Sequence, residues 1–344
     1  MRLGVLTGGG DCPGLNAAIR AIVRGSLTRG NDVVGILHGW RGVAERETIP
    51  LDRRAVGGIL PRGGTILGTS SYDCFREENG LEAVLDGTRE LGLDGVVAIG
   101  GEGTLGVAHR LHIDHEYPVV GVPKTIDNDL AGTDVTIGFD TAVHVCTEAI
   151  DRLHTTAESH NRVIVVEVMG RNTGWIAAAS GIAGGADVIL VPEVPMPIED
   201  VCDRIRMRHE EGKNFSIVVV AEGYPLTRRS GEQEEPIVQE VDPYGYARLG
   251  GIGGRVAGEI TQLVGYETRV TTLGHVQRGG TPTARDRFLA TRLGLEAARI
   301  AAEGSWGRMA AVRGNEVVDV SLREATDERR AVPESWIEAG RVVG

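Results

Sequence analysis

Short apolar runs alternate with helical periodicity along nearly the whole chain of 344 residues. The run at residues 3–7 precedes a segment in which Leu15, Ile19 and Ile22 recur at helical spacing. Such alternation is typical of α/β domains with mainly parallel sheets, and a chain of this length can form two of them. Further strands are predicted at 33–37, 95–99, 119–122, 163–168, 188–191, 215–220 and 270–273, helices at 142–153 and 288–300, an excursion or hairpin at 224–248 and a hairpin at 309–320.

Composition limits the partners of this chain. A formal net charge of −12 disfavours nucleic acid or an anionic membrane as the main partner, and 4% aromatic residues disfavour a stacking platform for single strands. The four cysteines are widely separated and show no CxxC spacing, which favours a reducing compartment. Neither a signal peptide nor an apolar run of membrane-spanning length is visible. We therefore expect a cytoplasmic protein that binds neither nucleic acid nor a membrane.

Glycine-rich turns follow two of the predicted strands. Glycine makes up 50 of the 344 residues, about twice the usual share. The turn at 8–16 opens a helix, so its backbone N–H groups can bind a phosphate, although a plain strand-to-helix turn has the same pattern. It has neither the Gly-Lys-Ser/Thr of a Walker A loop nor a clean GxGxxG, which leaves a dinucleotide dehydrogenase poorly supported.

The second glycine-rich turn, at 100–105, contains an acid, Glu102. A carboxylate among phosphate-binding amides is unfavourable unless a cation bridges it to the phosphate. Mg²⁺, typically held by one or two carboxylates plus phosphate oxygens, is the natural bridge. The alternative is an ordinary acid at a helix N-terminus.

The segment at 123–129 reads Pro-Lys-Thr-Ile-Asp-Asn-Asp and follows an apolar strand. Ligands bind outside the carboxyl ends of parallel strands. A hydroxyl that attacks a phosphoryl group needs a positioned base, which contributes about 10²–10⁴ in rate. We predict Asp127 as this base, Asp129 as its helper on the metal side and Thr125 as a donor to a phosphoryl oxygen. An Asx-turn with solvated acids is the weaker alternative.

Charged residues follow the later strands as well. Arg171 could neutralise charge on a transferred phosphoryl group. Arg269, His275 and Arg278, with paired glycines beside them, suit a phosphate monoester on a sugar, and Glu222 could accept from sugar hydroxyls. A single arginine is more often a solvated surface charge, so these predictions rest on several occurring together at strand ends.

Taken together, these motifs resemble the phosphofructokinase family. They keep the family's order and nearly its spacing over about residues 1–313, and seven coincident blocks are far more specific than any one. The hairpin-like segment at 224–248 is an addition relative to the shorter members. The matching blocks are 9–20, 100–104, 123–129, 159–162, 169–174, Glu222 and 273–280.

The resemblance implies two Rossmann-like, three-layer α/β/α domains with mainly parallel sheets and the active site in the cleft between them. Residues 1–138 with about 277–330 would bind the phosphoryl donor. Residues 139–276 with the C-terminal tail would bind the sugar phosphate. The implied reaction transfers the γ-phosphoryl group of ATP, with Mg²⁺, to the 1-hydroxyl of fructose 6-phosphate, which gives fructose 1,6-bisphosphate in glycolysis. A homotetramer or homodimer is implied too.

The resemblance also assigns residue roles. The catalytic residues would be Asp127, Thr125 and Arg171. Glu102 would serve the magnesium ion, at a position where the family usually has aspartate. The donor would be held by Gly10, Gly101, Gly103, Thr104 and Arg76. The sugar phosphate would be held by Asp129, Arg162, Met169, Gly170, Glu222, Arg269, His275 and Arg278. Of these, Arg162 and Arg269 would reach the 6-phosphate from a neighbouring subunit.

The donor is the harder question. ATP-using members carry glycine at the position of Gly103, whereas pyrophosphate-using members carry an aspartate that would exclude the α-phosphate. Lys124 points the other way, because it is common in pyrophosphate enzymes. The steric argument favours ATP, and pyrophosphate remains the alternative.

Two departures from the family pattern bear on activity. Ser71 stands where members usually have an arginine that stabilises the transferring phosphate, so a catalytically weakened or regulatory paralogue is a further alternative. In the effector site, His154 and Glu211 replace two positive positions and Asp187 replaces a glutamate, which predicts weak control by ADP or phosphoenolpyruvate. NAD and lipid kinases share the Gly-Gly-acid-Gly-Thr turn but do not explain segments 123–129 and 273–280.

Overall fold

The computed structural model of the protein describes residues 1–241 and 247–343. Its strands are β1 (Arg2–Thr7), β2 (Asp32–Ile36), β3 (Thr48–Pro50), β4 (Gly95–Gly100), β5 (Val119–Pro123), β6 (Val163–Val168), β7 (Val188–Leu190), β8 (Ser216–Ala221), β9 (Leu226–Thr227), β10 (Gln233–Glu234), β11 (Val238–Val241), β12 (Ala247–Leu249), β13 (Thr268–Thr272), β14 (Arg308–Arg313) and β15 (Glu316–Ser321). Its α-helices are α1 (Leu15–Thr28), α2 (Trp40–Glu45), α3 (Gly80–Glu90), α4 (Glu102–His115), α5 (Phe139–His160), α6 (Trp175–Ala183), α7 (Ile198–Glu210), α8 (Ile252–Val264), α9 (Ala284–Ala302), α10 (Leu322–Asp327) and α11 (Glu334–Val343), with a 3₁₀ turn at Gly274–Arg278. Within the described ranges, every helix is too short or too polar to cross a bilayer.

The chain divides into two compact units. Unit 1 comprises Met1–Thr141 and Arg278–Arg330, and unit 2 comprises Ala142–Gln277 and Ala331–Gly344. Each unit has its own buried cluster of apolar side chains on its own sheet.

The central sheet of unit 1 has, among the described residues, seven strands in the order β15-β14-β5-β4-β1-β2-β3. The five strands β14, β5, β4, β1 and β2 run parallel, whereas β3 and β15 pair antiparallel at the two edges. The inner strands β4 and β5 are buried along their whole length because helices cover both faces of the sheet. Helices α1 and α9 pack together, and α4 packs against α10.

Unit 2 contains a parallel four-stranded sheet in the order β13-β6-β8-β7. Near the carboxyl end of its inner strand β6, Glu167 is buried and accepts hydrogen bonds from the N–H groups of Gly251 and Gly253, at 2.9 Å and 2.7 Å. These two donors are the N-cap and a first-turn residue of α8, so a carboxylate from the sheet satisfies a helix N-terminus.

The structure confirms the predicted α/β class with mostly parallel sheets, and the hairpin at 309–320 is the antiparallel pair β14–β15. The helix predicted at 142–153 extends further in both directions, over Phe139–His160, because Phe139 and Ala157 continue its buried apolar face. The excursion at 224–248 forms two short antiparallel pairs, β9–β10 and β11–β12. Residues 242–246 of that prediction lie outside the described residues.

Candidate active site

Three adjacent strands of unit 1 end at the same edge of the sheet. Thr7 of β1 is in register with Ile99 of β4, and Gly100 is in register with Pro123 of β5. The N–H of Lys124 donates to the carbonyl of Gly100 at 2.9 Å, so the pairing continues past the strand ends. The two glycine-rich turns and the acidic turn therefore leave the sheet side by side.

Thr104 explains why glycine occupies both turns. A Cβ atom on Gly8 would lie 2.5 Å from Thr104 Oγ1, and one on Gly100 would lie 2.3 Å from Thr104 Cβ. Both distances are far below van der Waals contact, so only glycine lets the two turns close around this side chain. Thr104 thus has a structural role at the base of the predicted donor site.

Lys124 holds the first glycine turn in place through hydrogen bonds from its side chain. Its ammonium donates to the carbonyl of Gly8 at 2.9 Å and to the carbonyl of Gly10 at 2.5 Å. Lys124 is only 2% exposed, and burial lowers its pKa. Sequence reasoning treated this lysine only as a clue to the donor. In the structure, Lys124 fixes the first glycine turn and places a positive charge beside that turn.

The side chain of Arg278 packs against the first glycine turn. Its Nη1 donates to the carbonyl of Asp11 at 3.3 Å, and a Cβ atom on Gly10 would lie 2.6 Å from the same nitrogen. Gly10 therefore makes room for the guanidinium. The sequence assigned Arg278 to the sugar phosphate, and in the structure its protein contacts are with the predicted donor turn of unit 1.

The second glycine turn forms the N-terminus of α4. Gly101 is the N-cap and no side chain caps the helix. The first-turn N–H groups are therefore open to an anion, and Gly103 and Thr104 lie in that turn. A Cβ atom on Gly101 would lie 3.6 Å from Thr125 Cβ, so the acidic turn borders this helix end directly.

The acidic turn is held in shape by Asn128. Asn128 adopts a left-handed conformation with φ of 52°, and its Oδ1 accepts from the N–H of Thr136 at 3.0 Å. Thr136 Oγ1 donates to the carbonyl of Thr125 at 2.6 Å, and the N–H of Asp127 donates to Thr125 Oγ1 at 3.1 Å. Asparagine tolerates this backbone region better than most residues. The turn is thus rigid at the positions that carry Asp127 and Asp129.

The carboxylates of this region fit a magnesium ion that arrives with a phosphate ligand. Burial, and next the charge of Asp127, raise the pKa of Asp129 to about 7, and Glu102 adds to the same effect. Such a concentration of negative charge is relieved by a cation. Among residues 1–241 and 247–343, no group of three His, Cys, Asp or Glu residues could hold a metal. Magnesium commonly uses one or two protein carboxylates and completes its shell with water and phosphate oxygens.

In unit 2, three neighbouring strands also end together. Val168 of β6 is in register with Ala221 of β8, and the N–H of Glu222 donates to the carbonyl of Val168 at 2.8 Å. On the other side, the N–H of Leu273 donates to the carbonyl of Glu167 at 3.0 Å. The turns that carry Met169, Glu222 and His275 therefore share one edge of this sheet.

The backbone around Arg171 is tightly constrained. Arg171 has φ of 49°, and its N–H donates to Glu222 Oε1 at 3.0 Å. A Cβ atom on Gly223 would lie 1.8 Å from the carbonyl oxygen of Arg171, and one on Gly170 would lie 2.4 Å from that of Thr173. A non-glycine residue in the left-handed region is uncommon and often belongs to a functional site. Glu222 thus positions Arg171 as well as being a candidate for the sugar hydroxyls.

Gln277 is a site residue that sequence reasoning missed. It is fully buried, and its Oε1 accepts from the N–H of Met169 at 3.2 Å and from the thiol of Cys146 at 3.1 Å. Its Nε2 donates to the carbonyl of Gly274 at 3.0 Å. Gln277 therefore joins two of the turns at the candidate sugar edge, while His275 beside it is exposed. Its place inside the 273–280 motif was the available signal.

Arg162 and Arg269 are brought together by one acid. The guanidinium groups of both lie within ion-pair distance of Glu267 Oε1, at 2.8 Å for Arg162 and 2.5 Å for Arg269. The hydrogen bond from Arg162 lowers the pKa of Glu267, and Arg269 contributes further. Two predicted phosphate-binding residues, Arg162 just before β6 and Arg269 in β13, thus form one basic cluster.

Arg76 and Ser71 lie on a segment that borders the first glycine turn. The N–H of Gly9 donates to the carbonyl of Ser70 at 2.9 Å, and Thr69 Oγ1 donates to the carbonyl of Gly9. Ser71 is exposed, and Arg76 Nε lies 3.3 Å from Asp73 Oδ2. The position where an arginine was expected is therefore next to the loop that it would serve.

The chain belongs to the phosphofructokinase family, because the family model described as Phosphofructokinase matches residues 2–301. It is 53% identical over 346 residues to a pyrophosphate–fructose 6-phosphate 1-phosphotransferase of Streptomyces coelicolor, with 100% of both chains covered. It is 51% identical over 336 residues to ATP-dependent 6-phosphofructokinase 3 of the same organism, with 97% of both chains covered. The family is one of phosphotransferases.

Solved structures agree with this membership. Phosphofructokinase of Pichia pastoris in the T-state matches with a TM-score of 0.83 and 32% identity over 99% of this chain, which corresponds to 36% of that longer chain. A pyrophosphate-dependent phosphofructokinase from Marinobacter aquaeolei matches with a TM-score of 0.81 over 97% of this chain and 86% of that chain. At 22% identity, the second match bears on the fold alone.

Proposed function

We propose that the protein is an ATP-dependent 6-phosphofructokinase that phosphorylates the 1-hydroxyl of fructose 6-phosphate and so acts in glycolysis. The observation that carries the proposal is the common edge in unit 1. There, two glycine turns suited to phosphate and a rigid turn bearing Asp127 leave adjacent strands. Unit 1 would bind the donor and unit 2 the sugar phosphate.

The chemistry assigned to this chain is positioning and proton transfer. Asp127 accepts the proton of the attacking hydroxyl, and Thr125, whose Oγ1 holds the Asp127 N–H, stands beside it. Arg171 stabilises negative charge on the transferred group. Glu102 and Asp129 are the carboxylates that would hold Mg²⁺, which would neutralise charge on the donor phosphates when bound. In unit 2, Met169, Glu222 and His275 would orient the sugar.

Gly103 supports ATP as the donor. It lies in the first turn of α4, where the open N–H groups favour phosphate and where glycine adds no bulk or charge. Lys124 was the argument for pyrophosphate. Its ammonium, however, is engaged by the carbonyls of Gly8 and Gly10, a loop-holding task that serves either donor.

Arg162 and Arg269 support an oligomer. Both are predicted to bind the 6-phosphate of a sugar held by a neighbouring subunit, which requires a homodimer or homotetramer. Phe288 and Leu295, seven positions apart on α9, are 65% and 43% exposed in the single chain, and burial of such side chains between subunits would be favourable. Light scattering of the purified protein should give a mass of two or four chains.

The decisive experiment is a turnover assay with fructose 6-phosphate and Mg²⁺, in which ATP and pyrophosphate are offered in parallel. We expect turnover with ATP and little with pyrophosphate. Asp127→Asn should lower kcat by about 10²–10⁴ while the substrates still bind, and Asp114→Asn, at an exposed position of α4, is the matched control.

The opposite donor preference would establish the second candidate, a pyrophosphate-dependent enzyme, which the name of the 53% identical relative from Streptomyces coelicolor favours. Absence of turnover with both donors would leave a regulatory paralogue or an enzyme for a related sugar phosphate.

A further inference from the structure

Arg329 is ion-paired with the carboxylate that we assign to the metal. Its Nε lies 3.1 Å from Glu102 Oε2 and its Nη2 lies 3.4 Å from Glu102 Oε1, across 227 positions of sequence. The backbone holds the arginine there, because Arg329 bridges to Leu130 and the N–H of Arg330 donates to the carbonyl of Asp129 at 2.8 Å. Arg329 thus belongs to the same corner of unit 1 as the acidic turn and the start of α4.

The pair borders a cavity of about 220 Å³. The residues that line it are Glu102, Asp129, Leu130, Ala325, Thr326, Asp327, Glu328 and Arg329. Among these described lining residues, four are acidic and Arg329 alone is basic. A polyphosphate approaching this wall meets repulsion from the carboxylates. Arg329 is therefore the cationic group among these lining residues that can bind phosphate oxygens.

The ion pair is suited to exchange. The side chain of Arg329 is 47% exposed and that of Glu102 is 43% exposed, and ion pairs at such exposure contribute little to stability. A guanidinium binds phosphate in a forked, charge-assisted geometry that is stronger than a solvated surface pair. Breaking the pair with Glu102 is thus easily offset by a new contact with a donor phosphate.

We propose that Arg329 is a donor-binding residue, held by Glu102 in the donor-free enzyme and passed to the donor's phosphate oxygens when Glu102 engages the donor's magnesium. The idea rests on the proposed function. It also gives the active site a guanidinium in a protein where Ser71 stands at the expected arginine position. Arg329 comes from beyond the region that matches the family model, which ends at residue 301.

The first test is equilibrium binding of two non-hydrolysable donors, the β,γ-imido analogue of ATP and methylene diphosphonate, measured by calorimetry with Mg²⁺. Arg329→Ala should weaken binding of the analogue that the wild type prefers by about tenfold or more. Arg329→Lys should restore only part of the affinity, because lysine lacks the fork. Arg89→Ala, which breaks the exposed pair with Asp86 on α3, is the matched control and should change nothing.

The second test removes the partner instead. Glu102→Gln should bind the ATP analogue more tightly than wild type in the absence of Mg²⁺, because Arg329 is released. Loss of the Glu102 charge also relieves repulsion of the phosphates, so the release of Arg329 is measured by a double-mutant cycle: the gain from Glu102→Gln should be larger in the wild-type background than in the Arg329→Ala background. A structural role for Arg329 would lower the melting temperature and leave both binding measurements unmoved.

Unchanged analogue affinity in Arg329→Ala, or a gain from Glu102→Gln that is equally large with and without Arg329, would overturn the proposal. The proposed function fails separately, if wild-type enzyme binds an analogue but phosphorylates no fructose 6-phosphate with either donor. In that case, weakened analogue binding in Arg329→Ala would still support a phosphate-binding arginine. A wild-type protein that binds neither analogue would overturn both.

Discussion

The ammonium nitrogen of Lys124 lies 2.9 Å from the carbonyl oxygen of Gly8, inside unit 1 and almost without exposure to solvent. The lysine follows β5, and the glycine follows β1, with β4 between them in the sheet. Its hydrogen bonds tie the candidate catalytic turn to the candidate donor turn. The positions of Asp127 and of the phosphate-binding loop are therefore mechanically linked.

Replacing this lysine should damage both stability and donor binding. In Lys124→Met the carbonyls of Gly8 and Gly10 lose this donor, and the unpaired carbonyl of the buried Gly8 costs about 1–3 kcal/mol. We expect a lower melting temperature and a raised KM for the donor, measured by thermal denaturation and steady-state kinetics. Lys213→Met is the control, because Lys213 is exposed. Wild-type stability in Lys124→Met would contradict the role given to these hydrogen bonds.

Gly103→Asp should abolish the use of ATP. The substitution introduces bulk and a negative charge in the first turn of α4, where the donor's phosphates are proposed to lie. Initial rates with ATP and with pyrophosphate, measured in parallel, give the readout. Gly106→Asp on the same helix is the matched control, since a Cβ atom there meets nothing within 4 Å. Normal ATP turnover in Gly103→Asp would show that donor choice is decided elsewhere.

Ser71→Arg should raise kcat. Ser71 is exposed next to a segment that hydrogen-bonds to Gly9, so an arginine there can extend toward the donor loop without displacing buried atoms. The gain should appear in kcat rather than in the KM for fructose 6-phosphate, because the added charge acts on the transferring group. Ser230→Arg, which adds the same charge at another exposed position, should have no effect. An unchanged or lower kcat in Ser71→Arg counts against the argument.

Control by ADP or phosphoenolpyruvate should be weak or absent. In unit 2, Arg208 Nη2 lies 2.5 Å from Asp187 Oδ1, and His154 Nε2 lies 2.7 Å from the carbonyl of Gly184. The side chains at two effector-site positions, Asp187 and His154, thus already have partners within the chain, and Glu211 adds a negative charge. We expect hyperbolic saturation with fructose 6-phosphate and no change on adding ADP. A sigmoidal curve that ADP relieves would refute this.

Asp286 gives a pH-dependent contribution to stability. Its carboxylate accepts from the N–H groups of Gly138 and Thr141 at 3.0 Å and 2.8 Å, and burial raises its pKa to about 6. Because the folded state holds this proton more tightly than the unfolded chain, the contribution is fully present below about pH 4 and is lost as the pH rises toward 6. At about pH 4.5, Asp286→Asn should cost about 1–3 kcal/mol, since the amide nitrogen cannot accept.

Melting curves across this pH range check the prediction. The difference between wild type and Asp286→Asn should narrow as the pH rises, whereas Asp32→Asn, at an exposed position, should follow the wild type throughout. If the difference in melting temperature between wild type and Asp286→Asn widens with rising pH, Asp286 stabilises the protein at the higher pH and the prediction is wrong.

The local sequence pattern was sufficient to predict strands and helices and to propose much of the candidate site. The run at 163–168, apolar except for Glu167, predicted β6 with the bounds that the structure has, because a buried parallel strand needs a nearly continuous apolar segment. The glycines at the ends of β1 and β4 predicted the two turns. Glycine is needed there because only glycine permits the close approach of Thr104. The sequence by itself therefore determined the α/β class, the strand-end turns and the family.

The tertiary structure alone decided which side chains meet. The inward direction of Lys124 depends on β1 lying two places from β5 in the sheet, an order that no local pattern encodes. Gln277 could be suspected from its motif, but its contacts with Met169 and Cys146 required the packing of unit 2. Arg329 gave no signal at all, because its partner lies 227 positions away. Hydrophobic periodicity is a property of neighbours along the chain, whereas a site is made by neighbours in space. Only folding brings residues that are distant in sequence into contact.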